Sequence, residues 1–427
     1  MLRNKLTKNS IFTGLLLLLL LAVSLGNPIV QLFGIVLFSS ISLLFLAKST
    51  IIDFKALFYL TILIITFFQF LFVWRDDYSI NYLMNTGIIC VMWILMLLVS
   101  LSIAALFKKI SLEKIHVVLK LFFSLNVLIV IVQYVNIAIQ KKSIFPHMVS
   151  MGAGDFIKGV FTNSSVSMII FSFYTVYFFY RKENKLCVAA ILCMLASTYM
   201  SGIVIFSAIV FLFAFLYFSP MLKLKILIGL SVGIFVLALI SPKNIEYVKQ
   251  NLTEKLVSKS DPLRKIVSFN QTVKYFGSDL KRALFGAGGG KFSSRTAFLT
   301  SADYVSWFPE KYKYMSKEFT ENHYTLWNSE LLKQPYKDGT ANQPFSFYNK
   351  IFGEYGVVGA LLFVVLYLGK WIKNFNKLTF GKLIFMLMLS FFVLDYWFEY
   401  FTVIAFFELF MALDLKTKRN GHTGEKA

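Results

Sequence analysis

The sequence predicts an all-α integral membrane protein, a polytopic bundle of about twelve transmembrane helices carrying one large external loop. Three observations predict it. The chain of 427 residues is 57% hydrophobic, with a mean hydropathy of +0.69, 47 phenylalanines and only 15% charged residues, which is more apolar surface than one water-soluble core can hide. Apolar runs of span length recur up to residue 241 and again from 351. Between them lies a single long hydrophilic stretch, residues 242 to 350.

A span needs about 20 apolar residues to cross roughly 30 Å of hydrocarbon. Arg3, Lys5 and Lys8 precede the run Ile11 to Leu25, the layout of a signal peptide with Ala22-Val-Ser-Leu-Gly26 as its cleavage site. Another run starts at once near Pro28, so the first is expected to remain as an uncleaved span. Further spans are expected at 28 to 47, 56 to 74, 86 to 107, 117 to 139, 165 to 180, 186 to 200, 203 to 219 and 224 to 241, giving nine helices within 1–241. Three more, 355 to 372, 383 to 398 and 400 to 414, fall within 351–427, ahead of a cytoplasmic tail. Residues 186 to 222 carry no charge and 383 to 414 are nearly continuous, so a single helix through either overshoots the bilayer at about 1.5 Å per residue. Each is expected to double back, at Ser197 to Gly202 and at Asp395 to Tyr400.

Orientation follows from Lys and Arg in alternate loops. Leaving aside the long stretch, 22 lie on the side of the N-terminus and 4 on the other (Arg75, Lys141, Lys142 and Lys158). Both termini are therefore expected in the cytoplasm, with 242–350 outside. That stretch holds 17 Lys and Arg against 10 Asp and Glu, a net +7. A basic segment clamped between two spans suits an anionic ligand near the lipid surface. The formal net charge of +21 sits between apolar runs rather than along one face, so the membrane accounts for it and nucleic acid is not expected as a partner. Cys90, Cys187 and Cys193 all fall in apolar runs and point to neither disulfides nor a metal site.

Several soluble-enzyme chemistries fail on spacing. Gly286 to Lys291 resembles a phosphate-binding loop, but that motif needs Gly where Phe285 stands and Ser or Thr where Phe292 stands. The four histidines include no zinc pair, and no GxSxG elbow is present. What remains outside the membrane is a set of cations and hydrogen-bonding groups: Lys158, Arg264, Lys281, Arg282, Lys291, Arg295, His323, Glu330 and Asn342. Arginine's planar fork matches phosphate oxygens and stays charged. Arg264 opens a predicted helix with Ile266, Phe269, Val273 and Phe276 on one face, a place from which it could point into a cleft or remain a solvated loop charge. The glycines at 286 and 288–290 either let the backbone approach a ligand or simply form a turn. His323 is a base or a surface histidine, and Glu408, awkward in a membrane helix, is either functional or paired inside the bundle.

As a whole the pattern resembles the O-antigen polymerase and ligase superfamily of bacterial surface-polysaccharide assembly. Four places carry the resemblance, over roughly residues 120 to 414. They are Lys158-Gly-Val-Phe-Thr-Asn163, Thr198-Tyr-Met-Ser-Gly202, Arg264 with Leu284-Phe-Gly-Ala-Gly-Gly-Gly-Lys-Phe292, and Asn342 with Gly353-Glu-Tyr-Gly-Val-Val-Gly359. The family's Arg in the second element is absent here, with Met200 and Ser201 in its place, and its His before Asn is replaced by Asn342 or Gln343. The resemblance implies a glycosyltransferase of the bacterial cytoplasmic membrane. It would polymerise undecaprenyl-diphosphate-linked oligosaccharide repeat units on the outer face, toward O-antigen or capsule, by moving the growing glycan to a hydroxyl of the next unit.

It further implies no metal and no other cofactor, and it admits a chain-length regulator as partner. Arg264 would act on the diphosphate, with His323 or Glu330 replacing the missing base. Lys158, Asn163, Arg282, Gly286, Gly288, Lys291 and Asn342 would line the substrate. Tyr304, Trp307, Tyr324 and Trp327 could stack on sugars or pack the loop. Loss of the histidine favours a polymerase over a ligase, and the absence of repeated halves argues against a flippase.

Overall fold

The structure, a computed structural model, describes residues 2–46, 53–73, 79–251, 262–303, 307–333 and 342–424. Lys48, Arg75, Tyr304 and Lys426 lie outside the described residues. Among those described, the chain is helical with no strand. Among the described residues, seven helices are long and apolar enough to cross a membrane: Pro28–Leu46, Phe54–Val73, Ile80–Lys109, Leu112–Gln140, Met200–Tyr217, Pro220–Ile240 and Phe347–Lys377. Ile29, Leu44, Phe72 and Phe235 are exposed on them, a surface suited to lipid rather than water. This is the architecture of a helical membrane protein.

Local sequence sets the helix ends. Asp53, Ser79 and Asn163 cap the helices that follow them, their side chains accepting from the amides of Ala56, Tyr82 and Val166. The other predicted spans are helical but shorter. The apolar part of the first is Ser10–Ser24, and the others are Ser164–Tyr180, Asn184–Ala196 and Phe380–Phe391. Phe401–Gly424 ends in the charged tail. Asn184–Ala196 has 13 residues and Phe380–Phe391 has 12, so each is about 20 Å long and stops short of the full hydrocarbon thickness.

The expected 383 to 398 span thus ends at Phe391. The freed carbonyls have partners that let it stop there. The Phe347 amide donates to the carbonyls of Phe392 (3.0 Å) and Asp395 (3.2 Å), and Ser346 Oγ donates to Phe392 O (2.9 Å). Irregular backbone persists at membrane depth only where protein satisfies it in this way.

The bundle's centre is aromatic, built around Phe58, Tyr59, Trp93, Phe363, Tyr367 and Phe398, with ring centroids 4.8 to 6.3 Å apart. Glu408, an awkward residue for a membrane helix, is paired. Lys55 Nζ lies 2.5 Å from its carboxylate, Ser100 Oγ donates at 2.7 Å and the Tyr59 hydroxyl at 3.2 Å. Phe54–Phe68 passes into a π-helical turn, Gln69–Val73, that turns the polar Gln69 inward toward the glycine-rich segment.

Arg264–Phe276 is the helix that the apolar spacing predicts, but it packs on its other face. Lys265, Ser268, Thr272 and Tyr275 are buried, while Ile266 and Val273 are exposed. Specific polar partners reverse it. Asn349 Nδ2 donates to Ser268 Oγ (3.0 Å), and Thr272 Oγ1 donates to Asn349 Oδ1 (3.0 Å). Ile266 and Val273 of the apolar face are left exposed.

Candidate functional site

The long stretch is seated on the turn at 392–400, which joins Phe380–Phe391 to Phe401–Gly424. This turn carries Asp395, Tyr396, Trp397 and Glu399 inside an otherwise apolar run. Each neighbour reaches it through a defined contact. Glu399 pairs with Lys350, both side chains fully buried, and its other oxygen accepts the backbone amide of Arg295 at 2.7 Å. The hydroxyls of Tyr396 and Ser293 are bonded at 2.8 Å. Lys265 Nζ donates to the carbonyls of Phe345 and Leu394 (the latter at 2.8 Å). Tyr199, from the 197–199 turn, sets its ring against Trp397 with centroids 6.3 Å apart.

One turn beyond Lys350, the buried carboxylate of Glu354 accepts from the amides of Phe292 (3.3 Å) and Ser293 (3.1 Å). Two carboxylates therefore grip the amides of Phe292, Ser293 and Arg295, and the Lys350 ammonium lies 4.4 Å over the Trp93 ring. Charge-assisted bonds to backbone amides are among the stronger ones available. The segment is fixed, and at its end the exposed Arg295 holds its guanidinium 4.6 Å above the Tyr400 ring. Burial pushes the Lys265 ammonium well below the ordinary lysine range, against the raising pull of Asp395.

The residues singled out from sequence are dispersed around this hub. Arg264 begins its helix and donates to the Leu326 carbonyl at 3.1 Å, half-buried, while its neighbour Lys265 is the one that enters the hub. Lys158 donates through Nζ to Thr162 O (3.4 Å) and through its amide to Gln133 Oε1 (2.9 Å). Asn163 is a helix cap. Arg282 is held locally by Asp279 (3.3 Å) and lies 5.0 Å over Tyr275, and Glu330 is exposed and paired with Lys333 at 2.6 Å. Lys291 is buried with its ammonium 3.9 Å over Tyr82, and Asn342 is buried. Trp327 packs on Phe345, Tyr324 packs on Phe319, and Trp307 is exposed.

Gly286 and Gly288 let backbone approach backbone. The Ala287 amide donates to Gly353 O (2.7 Å) and the Gly288 amide to Glu354 O (3.0 Å), with Gln69 bridging the Phe285 and Glu354 carbonyls. The turn at 286–290 is thus docked on the start of the next membrane helix.

His323 is fully buried, its ring 4.9 Å from that of Phe292 and its Nε2 facing Ser268 O (3.3 Å) and Thr272 Oγ1 (3.4 Å). Burial pushes its imidazole down to about 3, too low for a base that must exchange protons near neutral pH. This fixes the sign of a pH dependence. An unfolded imidazole takes a proton near 6.5 and the folded one only near 3, so acidification between these values removes stability. At pH 4.5 the loss is roughly 2–3 kcal/mol. In thermal unfolding, wild type is expected to lose more between pH 7 and pH 4.5 than His323→Phe does; equal losses would refute this.

Sequence reasoning passed over Lys265 and Lys350, and it placed Glu354 only in a motif and Asp395 and Glu399 only in a turn, not in this hub. The available signal was charge inside apolar or motif-bearing runs, since Asp395 and Glu399 interrupt an almost continuous membrane stretch. Comparison with protein-family models, with curated proteins and with solved structures returns no match to this chain.

Proposed function

We propose that this chain is a bacterial inner-membrane glycosyltransferase with twelve spans, both termini cytoplasmic and residues 242–350 outside, and that it polymerises undecaprenyl-diphosphate-linked oligosaccharide units. The observation that carries the reading is Arg295. It is an exposed guanidinium whose backbone is pinned by a buried carboxylate, on a net-basic stretch fixed to the end of an apolar bundle. In group transfer from a lipid diphosphate, negative charge develops on the departing diphosphate. A preorganised arginine at a water-poor surface stabilises that charge and demands neither nucleotide nor metal. Arg264 and Lys158 are both half-buried and are expected on the same side of the membrane in this topology. The sequence resemblance supports the same reaction, and the missing histidine supports polymerase over ligase.

The test is surface polysaccharide on a gel from cells with wild type, no protein, Arg295→Ala or Arg264→Ala, with membrane levels of each variant checked. Without the protein, single repeat units capped onto the lipid acceptor are expected. Long uncapped chains would instead indicate a ligase, and units trapped on the cytoplasmic face a flippase. Arg295→Ala is expected to cut activity by about 100-fold and collapse the ladder to single units. Unchanged ladders in both arginine variants would remove the loop cations from the site.

A further inference from the structure

A cavity of about 300 Å³ lies among Ser164–Tyr180, Asn184–Ala196, Met200–Tyr217 and Pro220–Ile240, away from the hub. That is the lower end of the size range of ligand sites. Its lining is nearly all apolar and includes Phe179, Phe206, Phe218 and Leu237. Two of its few polar groups are already satisfied, because Thr175 Oγ1 donates to Phe171 O (2.9 Å) and Cys187 Sγ to Thr175 O (3.6 Å). It therefore offers a polar guest little along its length.

One wall is made by Gly229 and Gly233, spaced one turn apart on Pro220–Ile240. Such a pair in a membrane helix ordinarily lets a second helix approach closely. Here a side chain added at either glycine would meet nothing within 4 Å, and Leu237 is the one buried residue of that helix among those described. The glycines open space rather than close it.

The groove has a charged end. From Leu237 to Lys225 the wall runs about 18 Å along the helix, close to the roughly 15 Å depth of one leaflet's hydrocarbon. Lys225 lines its end, and Lys223 and Lys382 stand over the nearby rings of Phe215 (5.0 Å) and Tyr217 (5.4 Å). In the orientation set by the loop charges this is the cytoplasmic end.

We propose that this groove seats one acyl chain of an anionic phospholipid from the cytoplasmic leaflet, with its phosphate held by Lys225 beside Lys223 and Lys382. Length, apolar lining and charge each match that occupant. Clustered lysines at the membrane surface select anionic headgroups. The site lies on the opposite side of the bilayer from the proposed diphosphate chemistry and does not depend on it.

The test uses full-length protein in nanodiscs of equal phosphatidylglycerol and phosphatidylcholine, with retained lipid read by native mass spectrometry after extraction. Wild type is expected to keep one phosphatidylglycerol. Gly229→Leu/Gly233→Leu, which fills the open space, and Lys225→Glu are each expected to lower occupancy at least tenfold, with unchanged thermal unfolding. Lys225→Arg should retain the lipid. Equal retention of both lipids, or retention by the leucine variant, overturns the proposal. So does efficient disulfide-linked dimer formation by Gly229→Cys, which would make a second copy of the chain the occupant.

Discussion

Replacing Lys350 with methionine is expected to unfold the end of the bundle on which residues 292–295 sit, at a cost of about 3–5 kcal/mol. Lys350 and Glu399 have no exposed side-chain surface, and the same carboxylate holds the Arg295 amide. Without the ammonium, Glu399 becomes an uncompensated buried charge within electrostatic reach of the equally buried Glu354. The seat of the 292–295 segment is lost with it. Neutralising both partners should recover most of the loss, because the glutamine carbonyl in Lys350→Met/Glu399→Gln still accepts from Arg295. Thermal unfolding in detergent, with the amount of folded protein in membranes, reads both variants. A single variant as stable as wild type would mean that this pair does not clamp the loop.

Gly286→Val is expected to cost about 2–6 kcal/mol. Gly286 has a φ of +68°, which a β-branched residue adopts only under strain of about 1–3 kcal/mol. Its new Cβ would also lie 2.6 Å from the Tyr355 amide nitrogen, and overpacking against a rigid backbone adds about 1–3 kcal/mol. Gly356 mirrors this across the contact, with a φ of +62° and a Cβ position 2.5 Å from the Leu284 backbone. Each chain segment thus needs the other's glycine. Gly87→Ala is the matched control, because space around Gly87 is open in the middle of a helix. There alanine should be neutral or stabilise by up to about 1 kcal/mol. The contrast is read by unfolding temperature, and equal effects at the two glycines would refute the docking.

The helices were legible because an apolar run of span length has few alternatives; the cap at Asn163 was not, since that residue stood out only as a candidate substrate contact. The reversed face of Arg264–Phe276 was not legible. Counting apolar positions assumes that burial follows hydrophobicity, whereas Ser268 and Thr272 are buried by Asn349, about 80 residues away. The glycine turn was visible as a motif, but whether a backbone or a ligand approaches it depends on Gly353 and Glu354. The hub was the hardest part to read. Lys265, Lys350, Glu354 and Glu399 gain meaning only as partners of 292–295 and of one another, and separations of 49 to 129 residues hide such pairs from local pattern. Arg264 drew attention as a helix opener, yet a rotation of one residue along that helix puts Lys265 in the hub instead.

The most direct measurement is reconstitution of the purified protein in liposomes with undecaprenyl-diphosphate-linked repeat units as the sole substrate. Product glycan is resolved by size, and freed lipid diphosphate is quantified. The expected result is a ladder accompanied by stoichiometric release of lipid diphosphate, and its loss in an Arg295→Ala protein that unfolds at the wild-type temperature. Folded wild type that yields neither ladder nor lipid diphosphate, or Arg295→Ala that yields both at the wild-type rate, would contradict the account.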